Sequence, residues 1–244
     1  MNDIDVVSYC RLVLKNLLPP IVWTTAKKIN RNRRKYYGLN SLDKKIEQYL
    51  NKNNGYFVEL GANDGVTQSN SLYFERHRGW KGLLVEPIPH KYLECLKNRS
   101  AESSIFCNAC VPFSYKHKFL EVLYSNLMSI PTGLDGDLDD PLNHAKNGIQ
   151  FLENHEVNFK FGAVARPLND LLLEADAPRV IDFLSLDVEG AEIQVLKGVD
   201  FSQFEFQYMC IESRSPDKLE FFLGQHGYYL VDKLSHHDYL FKHK

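Results

Sequence analysis

The sequence predicts an α/β protein with one mostly parallel β-sheet and helices on both faces, and two observations lead to this class. After residue 41, short apolar runs alternate with helix-compatible stretches, which is the pattern of consecutive strand–helix–strand units. The runs are nearly continuous in apolar residues, as expected for strands buried on both faces of a sheet. The chain has 244 residues, 44% of them hydrophobic, so it is long enough to bury one sizeable core.

The elements can be assigned in chain order. The first helix is predicted behind a candidate N-cap, Ser41, because Leu42 and Ile46 begin a helical repeat of apolar residues. Five strands are then predicted at 56–60, 81–85, 104–107, 180–186 and 206–211. The apolar runs 228–233 and 239–242 are separated only by a short loop, SHHD. Such a loop permits a hairpin, so the last of the seven strands is predicted to be antiparallel.

Residues 1–40 are predicted to form a basic amphipathic helical segment ahead of a catalytic domain at 41–244. The apolar stretch 6–23 is interrupted by Arg11, Lys15 and two prolines, whereas a membrane-spanning helix needs ~20 mostly apolar residues. The next residues, KKINRNRRK, hold six basic side chains within nine positions, which is typical of a helix lying on anionic lipid headgroups. The alternative is a helix that packs on the catalytic domain or on a second copy of the chain, in a homodimer.

Charge and cysteine content narrow the class of protein. The 29 basic and 31 acidic residues give a net charge of −2, so no nucleic-acid partner is expected. The five cysteines are scattered and no cleavable signal peptide is recognised, which predicts reduced thiols and a cytoplasmic protein, peripheral to the inner face of a membrane if residues 6–35 bind lipid. Cys107 and Cys110 have CxxC spacing, but they end a predicted strand, which favours two half-buried thiols.

Polar residues collect where the predicted strands end, and ligands of open α/β sheets bind outside the carboxyl ends of the strands. An acid at the tip of the second strand, Glu86, follows Gly61 by 25 residues and can accept hydrogen bonds from both ribose hydroxyls. The alternative is that Glu86 caps the turn that follows it. The first loop, ELGANDG, lacks the GxGxxG pattern because Asn63 stands where a glycine is expected. Its acids and amide suit a nucleoside with a charged amino-acid tail better than a pyrophosphate.

Four ordered motifs carry a resemblance to a known family: ELGANDG, SNSLYFE with GWKGLLVEP after it, CNA, and LSLDVEGAEIQVLKG. Over about residues 41–244 the chain resembles the FkbM family of S-adenosylmethionine-dependent methyltransferases. The resemblance implies a Rossmann-like class I methyltransferase sheet of seven strands, with the last strand antiparallel. It also implies an O-methyltransferase that uses S-adenosylmethionine and acts on a hydroxyl of a sugar, a glycan or a small natural product.

The resemblance also implies roles for individual residues in binding the cofactor. These residues are Glu59, Gly61, Asn63 and Gly65 around the methionine and ribose, Ser69 at the methionine carboxylate, Glu86 at the ribose hydroxyls, Asn108 and Ala109 beside the adenine, and Asp187 beside the reacting methyl group. Because the sulfonium methyl group is already activated, the protein must mainly align the acceptor oxygen and remove its proton.

Three acids follow the fourth and fifth predicted strands and are the candidate catalytic residues: Asp187, Glu189 and Glu212. Any of them could remove the proton of the acceptor, with a pKa raised by its acidic neighbours. Alternatively, Asp187 and Glu212 could hold Mg²⁺, with a sugar diol completing the coordination. Glu192 falls in the first turn of the next helix, where an acid stabilises the helix dipole, so we expect a structural role for it.

Residues 111–176 do not follow the alternating pattern and are predicted to be an insertion that sets substrate specificity. Aromatic and basic residues such as Tyr115 and Lys116 suit a sugar ring or an anionic glycan. The acidic run GLDGDLDD is predicted to be a solvated turn, and residues 165–173 an edge strand that leads into a helix. In the SHHD loop, a solvated turn is favoured, and His236, His237 and Asp238 are backup candidates for the base.

Two other classes of function stay open at this point. A NAD-dependent oxidoreductase would use Glu86 in the same way, but the missing glycine of the first loop disfavours it. A non-catalytic interaction protein could be built on the same scaffold, because a fold does not guarantee activity. The acids at positions 59, 86 and 187 favour an enzyme.

The basic segment gives a first testable prediction. Deleting residues 1–36 should release the protein from anionic lipid vesicles, because the segment supplies the charge that attracts them, and should leave the catalytic domain folded. Vesicle co-sedimentation and circular dichroism measure the two effects. A full-length variant with the six basic residues of KKINRNRRK changed to glutamine is the matched control for charge. Aggregation of the truncated protein would instead support packing of the segment on protein.

Overall fold

The structure is a computed structural model that describes residues 35–138, 140–152 and 156–244. The chain divides into two compact units, Met1–Lys35 and Tyr36–Lys244. Residues 1–34 of the predicted basic segment therefore lie outside the described residues, and its last residues, 36–40, belong to the larger unit. Within the described ranges, no helix combines the length and the apolar character needed to cross a membrane.

The larger unit contains eleven strands and seven α-helices among its described residues. The strands are β1 (Tyr56–Leu60), β2 (Lys81–Val85), β3 (Ser104–Phe106), β4 (Ala109–Cys110), β5 (Phe119–Tyr124), β6 (Ile130–Thr132), β7 (Phe159–Arg166), β8 (Val180–Leu186), β9 (Glu205–Glu212), β10 (Tyr228–Lys233) and β11 (Asp238–His243). The helices are α1 (Leu42–Ile46), α2 (Leu72–Arg78), α3 (Pro89–Asn98), α4 (Pro141–Gly148), α5 (Leu168–Glu174), α6 (Glu192–Leu196) and α7 (Pro216–Gly224). Short 3₁₀ turns lie at Leu39–Ser41, Asn126–Met128 and Ile149–Phe151.

Seven of the strands form the main sheet, in the order β10-β11-β9-β8-β1-β2-β3. The central strands β1, β2, β8 and β9 pair in parallel, whereas β11 is antiparallel to both of its neighbours, β9 and β10. The predicted α/β class is confirmed, and the main sheet has seven strands and is mixed, with its last strand β11 antiparallel. Because β1, β2, β8 and β9 run in the same direction, their carboxyl ends all lie at one edge of the sheet.

Apolar side chains alternate between the two faces of the main sheet, as the period of two residues in a strand dictates. In β1, Val58 packs into a core layer with Leu172 of α5 and Leu219 of α7. Its neighbour Phe57 points to the opposite layer, with Phe74 of α2. Both layers are fully buried, which explains why the strand sequences are continuous apolar runs.

A second sheet, which the sequence reasoning missed, lies within the predicted insertion. Its strand order is β4-β7-β5-β6. The sequence of β5, FLEVLY, alternates buried and more exposed residues, so one face of this sheet is covered and the other faces solvent. The predicted edge strand at 165–173 is wrong in this respect, because β7 lies between β4 and β5 and ends at Arg166.

The start of the larger unit differs from the prediction in two ways. Ser41 makes no side-chain capping bond and has a left-handed φ of 58°, and α1 ends at Ile46. The buried Asp43 accepts a hydrogen bond from the backbone N–H of Tyr37 at 2.5 Å, while the Tyr36 hydroxyl donates to Glu47. Folded structure therefore begins before residue 41, and a truncation after Lys35 spares both tyrosines.

Candidate active site

A cavity of about 310 Å³ opens at the carboxyl ends of β1, β2, β8 and β9. Its far wall is formed by β5 of the second sheet and by the connections between β5 and β7. They contribute Leu120, Val122, Met128 and Phe151. The volume lies within the ~300–1,000 Å³ that is usual for small-molecule sites. The main sheet thus supplies one side of the cavity and the insertion supplies the other.

The loop after β1 approaches β8 so closely that only glycine fits at position 61. Gly61 has a φ of +77°, and a Cβ built on it would lie 1.9 Å from the carbonyl oxygen of Asp187. The loop is also tied to β2, because the N–H groups of Gly61 and Ala62 both donate to the carbonyl of Val85. These contacts fix the loop across three strands of the sheet.

Glu86 lies at the tip of β2, on the wall of the cavity, and is buried. One carboxylate oxygen accepts a hydrogen bond from the N–H of Asn63 at 2.7 Å, and the other accepts one from Ile88 at 2.8 Å. Burial raises the pKa of Glu86 to about 7, although the two backbone hydrogen bonds oppose the shift. Glu86 therefore does cap the turn that follows it, and its oxygens also border the cavity where a ribose is expected.

Glu59 and Ser69 line the cavity but are held by a buried hydrogen-bond network. The carboxylate of Glu59 accepts bonds from the hydroxyls of Ser69 and Ser71, at 2.9 and 2.6 Å, and from the N–H of Asn70. Arg99, whose side chain is fully buried, completes the network with an ion pair of 3.1 Å to Glu59. Both predicted residues thus shape the loop after β1, and sequence reasoning missed the arginine on which they depend.

The remaining predicted cofactor residues lie in two places. Asn108 and Ala109 line the cavity, and the amide of Asn108 donates to the carbonyl of Val164 at 3.1 Å. Gly65 lies outside the lining: its φ is +76°, and a Cβ there would meet Arg99 at 2.8 Å and Cys95 at 2.9 Å. Gly65 therefore allows the loop to pack on α3, and it does not line the cavity.

Two of the predicted catalytic acids form a pair on the cavity wall. Asp187 follows β8 and Glu212 ends the adjacent strand β9, and both acids line the cavity. Burial and the nearby charges of Glu212 and Glu189 raise the pKa of Asp187 well above its usual range, and burial also raises the pKa of Glu212. Among the described residues, none hydrogen-bonds to the buried Oδ1 of Asp187. The raised pKa values favour a protonated carboxyl group in this pair, and Oδ1 of Asp187 is an acceptor atom that no described residue engages.

The third predicted acid, Glu189, is engaged by a residue that the sequence did not point to. Its Oε2 lies 2.7 Å from Nε2 of His144, on helix α4 of the insertion. Glu189 has an unusual backbone, with a φ of 56°, which the turn after β8 imposes. No short-range pattern could have linked two residues that are 45 positions apart; the insertion itself was the only signal in the sequence.

The acidic run of the insertion packs on the site, so its prediction as a solvated turn is wrong for Asp137. We call residues 133–138 the strap. Oδ2 of Asp137 accepts hydrogen bonds from the Ser213 hydroxyl at 2.9 Å and from the N–H groups of Arg214 and Ser215. The N–H of Asp137 also donates to the carbonyl of Gly190. The strap thus joins the loops that follow β8 and β9.

Glu192 braces the turn that carries the catalytic acids. Its Oε1 accepts hydrogen bonds from the N–H groups of Val188 at 3.1 Å and Gly190 at 3.0 Å. It lies in the first turn of α6 and is buried, and burial raises its pKa to about 8. The geometry agrees with the structural role expected from the sequence.

The backup residues of the SHHD loop lie beside the site and do not line the cavity. Nε2 of His237 is 3.3 Å from the guanidinium of Arg214, and burial together with that positive charge lowers the pKa of His237. His236 is exposed, in contact with the ring of His237. The side chain of Asp238 accepts a hydrogen bond from Ser235 within the turn.

The predicted Mg²⁺ site does not fit the geometry of the described residues. They contain no cluster of three or more His, Cys, Asp or Glu side chains arranged to hold a metal ion. Glu189 is hydrogen-bonded to His144, so it does not join Asp187 and Glu212 as a third carboxylate for a metal ion.

Comparison with known proteins gives a match over most of the larger unit. The model of the methyltransferase FkbM domain matches residues 59–241. A structure of a candidate RNA methyltransferase from Pyrococcus horikoshii is similar, with 12% identity, 84% of this chain and 81% of that chain covered, and a TM-score of 0.39. M. capricolum TrmK in complex with S-adenosyl-homocysteine is also similar, with 10% identity, 78% of this chain and 62% of that chain covered, and a TM-score of 0.36. No curated protein sequence matches the chain.

The close approach of Gly61 to the carbonyl of Asp187 can be tested by comparison with a second glycine. That glycine has a similar backbone conformation but free space where a Cβ would lie. Gly133 has a φ of +86° and nothing within 4 Å of an added Cβ, so Gly133→Ala should cost only the ~1–2 kcal/mol of a left-handed alanine. Gly61→Ala adds a collision with Asp187 and should lower the free energy of unfolding further and weaken binding of S-adenosyl-homocysteine. Urea unfolding and calorimetry measure both. Equal effects of the two substitutions would contradict the role given to Gly61.

The raised pKa of Glu192 predicts how stability depends on pH. Because the folded-state pKa is about 8 and the ordinary value is 4.5, the protonated form stabilises the fold fully below pH 4.5, and this stability is lost as the pH rises towards 8. Glu192→Gln keeps an oxygen acceptor without charge. As the pH rises from 4.5 to 8, the free energy of unfolding of Glu192→Gln should therefore increase relative to that of the natural protein, by up to ~1.4 kcal/mol per pH unit.

Urea unfolding at pH 5, 6.5 and 8 measures this difference. Glu220→Gln, at an exposed position of α7, is the matched control and should show no such trend. A stability difference for Glu192→Gln that stays constant with pH would show that Glu192 is ionised in the folded protein.

Proposed function

Because the chain belongs to the FkbM family of methyltransferases, which use S-adenosylmethionine, we propose that it transfers the donor's methyl group to a hydroxyl oxygen of a sugar or glycan. The observation that carries the proposal is the Asp187–Glu212 pair on the wall of the cavity that Glu86 also borders. Glu86 and the pair lie at the ends of different strands of one sheet. A donor held at Glu86 and an acceptor held at the pair would therefore meet inside one cavity.

The residues around the loop after β1 suit the donor. Glu86 offers carboxylate oxygens to ribose hydroxyls, and Gly61, which also lines the cavity, carries no side chain. Asn108 and Ala109 supply a small polar and apolar surface for the adenine. The donor, when bound, supplies a sulfonium methyl group that is already activated for transfer.

The opposite wall suits a polyhydroxylated acceptor. It presents polar side chains, Asn126 and Ser129, next to the apolar Leu127 and Met128. A sugar ring has hydroxyl groups at its edge and C–H groups on its faces, so it can use both kinds of surface. An unprotonated carboxyl oxygen of the pair can accept a hydrogen bond from the acceptor hydroxyl. A protonated carboxyl group can donate one to the oxygen of that hydroxyl. Alignment of that oxygen with the methyl group supplies much of the rate.

Membership of a methyltransferase family argues against the alternative of a NAD-dependent oxidoreductase. The following experiment distinguishes an enzyme from a non-catalytic interaction protein. Calorimetry with S-adenosylmethionine tests donor binding, and labelled donor tests transfer to a panel of mono- and oligosaccharides and phenolic or polyketide alcohols, with and without EDTA. Transfer to saccharides alone supports the proposal. Transfer only to the other alcohols would overturn the acceptor class, and donor binding without transfer to any hydroxyl would overturn the reaction.

The acid pair gives the prediction that tests the proposal within the protein. Asp187→Asn should lower kcat by ~10²-fold or more, because an amide can no longer share a proton with Glu212, while the affinity for S-adenosylmethionine changes little. Asp170→Asn, at an exposed position in the first turn of α5, is the matched control. Near-normal turnover of Asp187→Asn would place the acceptor elsewhere.

A further inference from the structure

The proposed reaction needs a group that takes the proton of the acceptor hydroxyl, and we propose that this group is His144, oriented by Glu189. The inference rests on the proposed function and adds a catalytic residue from the insertion to it. His144 lines the same cavity as Asp187 and Glu212. It therefore lies on the acceptor side of the site, where a base must be.

The contact with Glu189 determines which nitrogen of His144 is available. Nε2 of His144 and Oε2 of Glu189 are 2.7 Å apart, and both side chains are largely buried, with exposures of 11% and 16%. When Glu189 is ionised, its carboxylate can only accept a hydrogen bond, so Nε2 must carry the proton. Nδ1 is then the unprotonated nitrogen, and it makes no hydrogen bond to any residue in the part of the chain that the structure describes. A base oriented by a carboxylate on its other nitrogen is a recurrent catalytic arrangement.

Helix α4 is held firmly enough to keep His144 in place. At its start, Asp140 accepts a hydrogen bond from the N–H of Asn143 at 3.0 Å. In its middle, the hydroxyl of Ser125 donates to the carbonyl of Ala145 at 2.5 Å. The strap ahead of the helix is fixed on Ser213 by Asp137. The imidazole is thus positioned by the body of the protein and by the second sheet together.

The proton and electron movements balance. A lone pair of the acceptor oxygen forms the new O–C bond, and the electrons of the C–S bond leave with sulfur to give a neutral thioether. The electrons of the O–H bond stay on oxygen, and the proton passes to Nδ1 of His144. The positive charge of the sulfonium thereby ends on the imidazolium, where the carboxylate of Glu189 stabilises it.

The charges around His144 favour this outcome. Most of the charged side chains that line the cavity are acidic, and Arg214 is the basic exception within the described lining: Glu59, Glu86, Asp187, Glu189, Glu212 and Arg214. On α4 itself, Asp140 caps the helix and Lys146 is exposed to solvent. An imidazolium formed at His144 is therefore in contact with the carboxylate of Glu189 and lies in a cavity lined mainly by acidic residues.

The tautomer of His144 can be measured without any acceptor. Long-range ¹H–¹⁵N spectra of the full-length protein distinguish the two neutral tautomers, and the signal that disappears in His144→Gln identifies this residue among the nine histidines. We expect Nε2 protonated and Nδ1 free, with that preference lost in Glu189→Gln. An Nδ1-protonated tautomer, or no change in Glu189→Gln, would overturn the assignment.

The rate measurement uses a saccharide that the natural protein methylates. His144→Gln should lower kcat by ~10²–10⁴-fold with unchanged affinity for S-adenosyl-homocysteine, and added imidazole should restore part of the rate of His144→Ala. Lys146→Gln, at the exposed position on the same helix, is the matched control. A rate for His144→Gln close to that of the control would overturn this inference alone, whereas a natural protein that transfers methyl groups to no hydroxyl would overturn the proposed function.

Discussion

The arrangement of the site depends on the contact between the backbone at Gly61 and the carbonyl of Asp187. This contact brings the loop after β1 against the end of β8, so that a side chain at position 61 would force the two strands apart. The residues proposed to bind the donor and those proposed to bind the acceptor are thereby fixed relative to each other. Methyl transfer requires alignment of three atoms in a line, and small displacements of such atoms reduce rates strongly. A rigid backbone contact meets that requirement without relying on flexible side chains.

The main sheet could be predicted from the sequence because its strands are buried on both faces. Strands 56–60, 81–85, 180–186 and 228–233 coincide with the observed β1, β2, β8 and β10. The second sheet could not be recognised in the same way. Its strand β6 is only three residues long and contains Pro131, and β7 carries Lys160 and Gly162 among its apolar residues. Half-exposed and interrupted strands of this kind give weak signals, because the pattern depends on which face is covered.

The site shows the same division between local and distant information. Residues at strand ends, such as Glu86 and Asp187, could be predicted because a parallel sheet collects its carboxyl ends at one edge. Arg99, Asp137 and His144 act through contacts with residues 40, 76 and 45 positions away. Nothing in the local sequence reports such contacts, so an acidic run was interpreted as solvated and a histidine was overlooked. Conversely, Glu59 was expected to touch the ligand. In the structure its carboxylate is already engaged by the buried side chain of Arg99.

The pairing of β4 with β7 has a consequence for how such a chain can change. Ala109 and Cys110 lie beside Ala165 and Arg166 in parallel register, so the segment between them, which contains β5, β6 and α4, begins and ends at neighbouring points of the second sheet. Its length and sequence can vary while both points of attachment stay where they are. The residues proposed to bind the donor lie almost entirely outside this segment. Exchange of this segment between related chains would therefore change the surface proposed to bind the acceptor and keep the residues proposed to bind the donor.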